Sequence, residues 1–386
     1  MENNIPRGAG KIKITFFIPT LGMGGVERFF INLINNIDRE KFEPSLLLGD
    51  KEGIFISEVP EGIKVLNLNV SHVRDSIPKL VKYFREEKPD VFIAFYLHAN
   101  LVSIISKILS GAKTKIIISE RTTLSRLSKY SVYRASNKLT SRFLFPLLVK
   151  IFYPRADKII CVSKGVADDL EKIIGSPKKL KVIYNYFDFE KIIELAKEKI
   201  DYPRSYLNDS PIICAVGRLV KDKDYPTLLN AFSLVLKKTK SRLIIIGEGR
   251  DREKLEALAR QLNISDSVYF TGLQKNPYKF MAKADIFVLS SGIEGFPNVI
   301  IEAMACGVPV VSTDCKSGPN EIIENGKNGL LVPVGDRNAL AEAILKLLAD
   351  RELRAKFSRE GKKALQRFSL EKTIKEYENI FREVLE

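Results

Sequence analysis

The chain has no tryptophan, and its two histidines and four cysteines among 386 residues leave little for a metal site. His72 and His98 are too few to complete a structural zinc site when the cysteines form no CxxC pair. Cys161, Cys214, Cys306 and Cys315 are scattered, and the first two fall in apolar strand-like runs, where a buried thiol is the expected state. No apolar stretch approaches the roughly 18 to 20 residues that a spanning helix needs. Met1 to Lys13 carries charge without an apolar segment, so a cytoplasmic location is expected. Acidic residues are missing entirely from Arg121 to Ala156.

What is present is an ordinary globular composition, 45% hydrophobic and 28% charged, in a chain long enough for two domains. A formal charge of +15 points to an anionic partner without naming it. The acid-free segment is more specific. Arg121, Arg126, Lys129, Arg134, Lys138 and Arg142 alternate there with aliphatic and aromatic residues, a basic amphipathic pattern. It suits either an anionic membrane surface or a core-packing helix whose cations face water. No zinc-finger or RNA-binding motif accompanies it, so nucleic acid is not expected as a partner.

Strand-like runs alternate with helix-length segments along the chain. They are Lys13–Ile18, Pro44–Leu48, Lys64–Leu68, Val91–Phe95, Lys115–Ser119 and Lys158–Val162, then Ile212–Val216, Arg242–Ile246, Ser267–Phe270, Ile286–Leu289 and Pro309–Ser312. Two such series predict an α/β protein of two doubly wound, Rossmann-like domains with parallel sheets. The expected divisions are 1–205, 206–368 and a terminal amphipathic helix over 369–386 that packs back on the first domain. Ligands of such sheets bind beyond the C-terminal strand ends, so two facing domains would share a cleft.

Several motifs fall at those strand ends. Glu294 and Glu302 bracket a predicted helix start, with Pro297 as its first residue, so that backbone N–H groups and the helix dipole face the loop of Glu294. That geometry suits a phosphate, and Glu302 a ribose; two solvated acids on a capped surface helix are the alternative. Gly22-Met23-Gly24-Gly25 opens a helix after the first strand, as a phosphate-approaching turn or a plain tight connection, and Glu27 stands where a dinucleotide fingerprint needs glycine. Arg218 and Lys223 follow Ile212–Val216, where paired cations neutralise a leaving diphosphate unless they are merely a solvated loop. Asp222 and Asp224 have a metal-like spacing, but the neighbouring cations oppose a dication. Gly247-Glu248-Gly249, Thr271-Gly272-Leu273 and Ser317-Gly318-Pro319-Asn320-Glu321 are turns at the same sheet edge. In the first half, His98 follows a strand, and Glu120 with Arg121 ends the next, to shape an acceptor site or to pair with each other on the surface.

Together these segments resemble the retaining glycosyltransferases of the GT-B fold in the large group-one family, which includes glycogen synthase-like and mannosyltransferase enzymes. The resemblance spans nearly the whole chain, from Gly24-Gly25-x-Glu27 to Asn328-Gly329-Leu330-Leu331-Val332-Pro333. It implies a nucleotide-sugar donor, UDP-linked, with Glu302 on the ribose, Arg218 and Lys223 on the diphosphate, and Gly24 and Gly25 on a phosphate. Gly247, Leu273, Phe296, Pro297, Asn298 and Val299 would complete the donor site, with Glu294 and His98 near the transferred sugar. No cofactor and no metal are implied. Asp314 to Ile323 resembles members that extend bacterial lipid-linked oligosaccharides, which implies a polyprenyl diphosphate-linked glycan acceptor and peripheral attachment to the cytoplasmic face of the membrane. A nucleotide-sugar epimerase and a noncatalytic sugar-nucleotide-binding protein are the rival readings.

Overall fold

A computed structural model describes residues 10–22, 25–50, 53–124, 138–200 and 210–386. Gly24, Arg126, Lys129 and Arg134 lie outside the described residues, as do the side chains of Lys138 and Arg142. The chain divides into two compact units, Met1–Tyr186 with Glu371–Glu386, and Phe187–Leu370.

The first unit is built on β1 (Ile12–Ile18), β2 (Phe42–Leu48), β3 (Lys64–Asn67), β4 (Val91–Phe95), β5 (Lys115–Glu120), β6 (Lys158–Cys161) and β7 (Leu180–Val182). They pair in parallel in the order β3-β2-β1-β4-β5-β6-β7. Every residue of β4 is buried, which is why its sequence shows an unbroken apolar run rather than alternation. The terminal helix Leu370–Glu383 belongs to this unit through its apolar face. The Phe381 ring meets Phe16 and Phe42 edge-on at 6.0 Å each, and Tyr377 lies 5.8 Å from Phe29. Each such aromatic contributes roughly 1.5–3 kcal/mol by burial.

The second unit holds β8 (Ile212–Val216), β9 (Arg242–Ile246), β10 (Val268–Gly272), β11 (Ile286–Leu289), β12 (Val310–Thr313) and β13 (Leu330–Val332). All pair in parallel, in the order β10-β9-β8-β11-β12-β13. Leu228 and Phe232 of the helix Tyr225–Leu236 and Leu340 and Ile344 of the helix Arg337–Ala349 form one core against Ile213 and Val288. Both sheets are thus doubly wound. Their order reverses between β1 and β4 and between β8 and β11, the positions where such sheets open a crevice for ligands.

Two expectations need correction. The first unit ends at Tyr186 rather than at residue 205, because the helix Phe189–Leu195 joins the second unit, where its Leu195 carbonyl accepts from Asn276 Nδ2 at 2.8 Å. Finally, β7 and β13 were not expected; each is an edge strand of three residues, too short to show a period.

Candidate functional site

In the second unit, the loops after β8 and β11 meet at the switch point. Asp222 accepts at its carbonyl from Gly292 N at 2.9 Å, and Lys223 at its carbonyl from Ser290 Oγ at 2.8 Å. These bonds place Lys223 Nζ 2.5 Å from Glu294 Oε1, with the two side chains only 18% and 10% exposed. Ser291 Oγ donates to the same oxygen at 2.6 Å. The pair is therefore not the solvated loop and surface acid that each residue alone allows. Tyr225 OH braces the floor by donating to the Gly217 carbonyl at 3.1 Å. Asp224 caps the helix Tyr225–Leu236, its carboxylate accepting from Thr227 N at 3.4 Å and Thr227 Oγ1 at 2.7 Å. That use explains the acid without a metal.

The helix Asn298–Ala305 begins directly after this loop. Pro297 is its cap rather than its first residue, since its ψ of 85° is not helical, and a residue without an N–H loses nothing there. Phe296 is buried with its ring 5.7 Å from Phe368, which anchors the loop rather than exposing an aromatic to a ligand. Glu302 lies half-buried in the helix's second turn, and Asn298 and Val299 half-buried in its first. Arg218 is exposed on the neighbouring loop. Leu273 is 62% exposed beside Gly272, whose φ is 75°.

Gly247 and Gly249 have a packing role that the sequence does not disclose. A Cβ on Gly247 would lie 2.0 Å from the Gly217 carbonyl oxygen, and one on Gly249 2.3 Å from that of Leu219. The Gly247-Glu248-Gly249 turn thus carries the loop of Arg218 on its backbone, with Leu219 N donating to the Glu248 carbonyl at 2.9 Å.

In the first unit, Gly25 opens the helix Gly25–Asn36 and His98 lies in the first turn of the helix Leu97–Ser110, on either side of the β1/β4 switch point. Between them stands Tyr96, in a left-handed conformation (φ 78°) rare for a bulky residue, its hydroxyl donating to Glu27 Oε1 at 2.7 Å. His98 packs edge-on against Phe145 at 4.9 Å, and burial holds its pKa below the ordinary value.

Glu120 and Arg121 are not the surface pair that the sequence allows. Glu120 is 1% exposed; Tyr153 OH donates to its Oε2 at 2.8 Å and Arg121 N to its Oε1 at 3.2 Å. Burial pushes its pKa to about 7. The Arg121 guanidinium lies 4.0 Å over the Phe29 ring and donates to Asn185 Oδ1 and Tyr377 OH. Both residues tie β5 to its surroundings. Sequence reasoning also passed over Ser291 and Tyr96, whose partners lie on other segments.

Two family descriptions match: Glycosyltransferase Family 4 over residues 23–191 and Glycosyl transferases group 1 over residues 197–364. The chain is 34% identical to the Campylobacter jejuni enzyme N-acetylgalactosamine-N,N'-diacetylbacillosaminyl-diphospho-undecaprenol 4-alpha-N-acetylgalactosaminyltransferase, over 92% of this chain and 95% of that one. It is 31% identical to the lipopolysaccharide core biosynthesis glycosyltransferase LpsE of Rhizobium meliloti, over 89% and 91%. Among solved structures, it matches sucrose-phosphate synthase of Thermosynechococcus elongatus with a TM-score of 0.81 at 21% identity, covering 97% and 99% of the two chains. HepE of Anabaena in complex with UDP matches with a TM-score of 0.77 at 22% identity, covering 96% and 100%. These likenesses, on two doubly wound parallel sheets, make the chain a GT-B-fold member of the group 1 glycosyltransferases.

Proposed function

We propose that the chain is a retaining glycosyltransferase that moves a hexose or N-acetylhexosamine from a UDP-sugar to a polyprenyl diphosphate-linked glycan, during assembly of a surface polysaccharide or protein glycan. The observation that carries this reading is the 34% identity, over 92% of the chain, to an enzyme whose name contains both the sugar and the diphospho-undecaprenol acceptor. In the reaction, the bond from C1 of the sugar to the diphosphate breaks and a bond from C1 to the acceptor oxygen forms on the same face. The acceptor proton passes to the departing phosphate oxygen. Arg218 and Lys223 meet the charge that develops on the diphosphate, an interaction stronger in the transition state than before it. Glu302 holds the ribose, and Glu294 takes sugar hydroxyls. No metal is assigned to any of these steps.

Attachment to the cytoplasmic face of a membrane completes the reading. The helix Lys138–Phe152 exposes Leu147 at 53% and Ile151 at 40%, with exposed Lys150 beside them, in a segment without acids. Each cation at an anionic surface adds roughly 1 kcal/mol before screening. Among the described residues no helix is long and apolar enough to cross a membrane.

The test is transfer of radiolabel from a panel of UDP-, GDP- and ADP-sugars onto synthetic polyprenyl diphosphate-linked glycans, with NMR of the product's anomeric configuration. Label from one UDP-sugar in an α-linked, organic-extractable product is expected. Transfer only to water-soluble acceptors would move the acceptor off the lipid. Donor turnover without acceptor would indicate an epimerase, and UDP binding without turnover a noncatalytic protein.

A further inference from the structure

The loop after β12, Asp314-Cys315-Lys316-Ser317-Gly318, touches the Glu294 loop at several points. Thr313, the last residue of β12, donates from Oγ1 to the Ser291 carbonyl at 2.6 Å. Ser317 donates from Oγ to the Gly295 carbonyl at 2.9 Å. Gly318 has a φ of 95°, and a Cβ there would lie 2.4 Å from Pro297 Cδ and 3.1 Å from Phe296 Cα. These three contacts grip the chain on both sides of Glu294. Ser291, Thr313 and Ser317 are at most 1% exposed, so each hydroxyl bond forms away from competing water.

The gripped loop in turn fixes the carboxylate. Ser291 Oγ and Lys223 Nζ both bind Glu294 Oε1, at 2.6 and 2.5 Å, while Oε2 accepts no hydrogen bond among the described residues. Gly292 and Gly295 lie within this loop and give it no intrinsic stiffness. The rigidity comes from the neighbouring segment.

We infer that Thr313 and Ser317 are positioning residues for Glu294: their hydroxyls clamp the carbonyls of Ser291 and Gly295, so that Oε1 is held by Ser291 and Lys223 and Oε2 is presented to a hydroxyl of the donor sugar. The inference rests on the assignment of Glu294 to the transferred sugar under the proposed function. It adds that the choice of sugar and the rate of transfer depend on two buried hydroxyls outside the Glu294–Glu302 motif. Nucleotide binding, through Arg218, Lys223 and Glu302, does not depend on them.

The experiment compares Thr313→Val, which keeps the side-chain shape, Ser317→Ala, and Thr313→Ser, which keeps the hydroxyl. UDP affinity is read by calorimetry, kcat and KM with UDP-N-acetylgalactosamine and with UDP-glucose, and folding by thermal unfolding. The first two variants are expected to bind UDP as the parent does, to lose about 10- to 100-fold in kcat, and to discriminate less between the two sugars; Thr313→Ser restores most of the loss. Unchanged kcat and discrimination in Thr313→Val and Ser317→Ala would overturn the inference, and so would a fall in UDP affinity and melting temperature in step with turnover. A parent protein that neither binds UDP nor turns over either donor would instead overturn the proposed function, and the inference with it, before any variant is measured.

Discussion

Lys223 Nζ lies 2.5 Å from Glu294 Oε1, although the two residues stand 71 positions apart in the chain. A diphosphate that takes Lys223 must draw it from this carboxylate, which Ser291 still holds at Oε1 with Oε2 toward sugar hydroxyls. Glu294→Gln removes the competitor and leaves the shape. Under the proposed function, this variant should bind UDP several-fold more tightly than the parent while losing most of its transfer activity, a split that calorimetry and a turnover assay read directly.

Lys223→Ala has the opposite signature. It leaves a carboxylate that is 10% exposed without its cation, at a stability cost of about 1–3 kcal/mol. UDP affinity should fall together with the melting temperature. A melting temperature equal to that of the parent would mean that the pair is not held as described.

Glu120 makes the stability of the first unit depend on pH. Its folded-state pKa is raised from 4.5 to about 7, so between those values the folded chain holds a proton that the unfolded chain has released. Stability therefore falls as pH rises through this window, by about 3 kcal/mol in total at 1.36 kcal/mol per unit. The groups facing the carboxyl are Tyr153, Arg121, Thr122 and Cys161; burial raises the pKa against the hydrogen bonds of Tyr153 and of the Arg121 and Thr122 backbone and against the Arg121 charge. In Glu120→Gln, this pH slope in thermal unfolding should be missing.

Gly247→Ala tests the packing role of the turn. The added carbon would meet the Gly217 carbonyl oxygen at 2.0 Å, and the loop of Arg218 must shift. A loss of about 1–3 kcal/mol is expected, with weaker UDP binding. Unaltered stability would show that the glycine is not required for this approach.

The exposed apolar pair on the helix Lys138–Phe152 gives a membrane prediction. Leu147→Glu with Ile151→Glu should abolish cosedimentation with vesicles rich in phosphatidylglycerol and leave turnover of a soluble donor intact. Equal cosedimentation of parent and variant would remove this helix from the membrane account.

Much of this architecture was legible in the sequence, and the reasons are physical. Short runs such as Val91–Phe95 and Ile212–Val216 announce strands buried on both faces, and the residues just beyond them are the ones a doubly wound sheet gathers at its switch point. Lys223 and Glu294 were found that way. Their mutual contact was not, because it depends on how the loops after β8 and β11 lace together. Glu120 looked like a surface acid because its partner Tyr153 is 33 positions away. Gly247 looked like a ligand turn because the oxygen it accommodates belongs to Gly217, in the loop after β8. Pairings between distant segments are what local pattern does not encode.

The most direct measurement is the rate of sugar transfer from the UDP-sugar identified by the donor panel, in the parent and in folded Glu302→Ala and Lys223→Ala. Transfer by the parent with about a 100-fold or greater loss in both variants is expected if the switch point of the second unit is the donor site. Equal rates in all three proteins would contradict it.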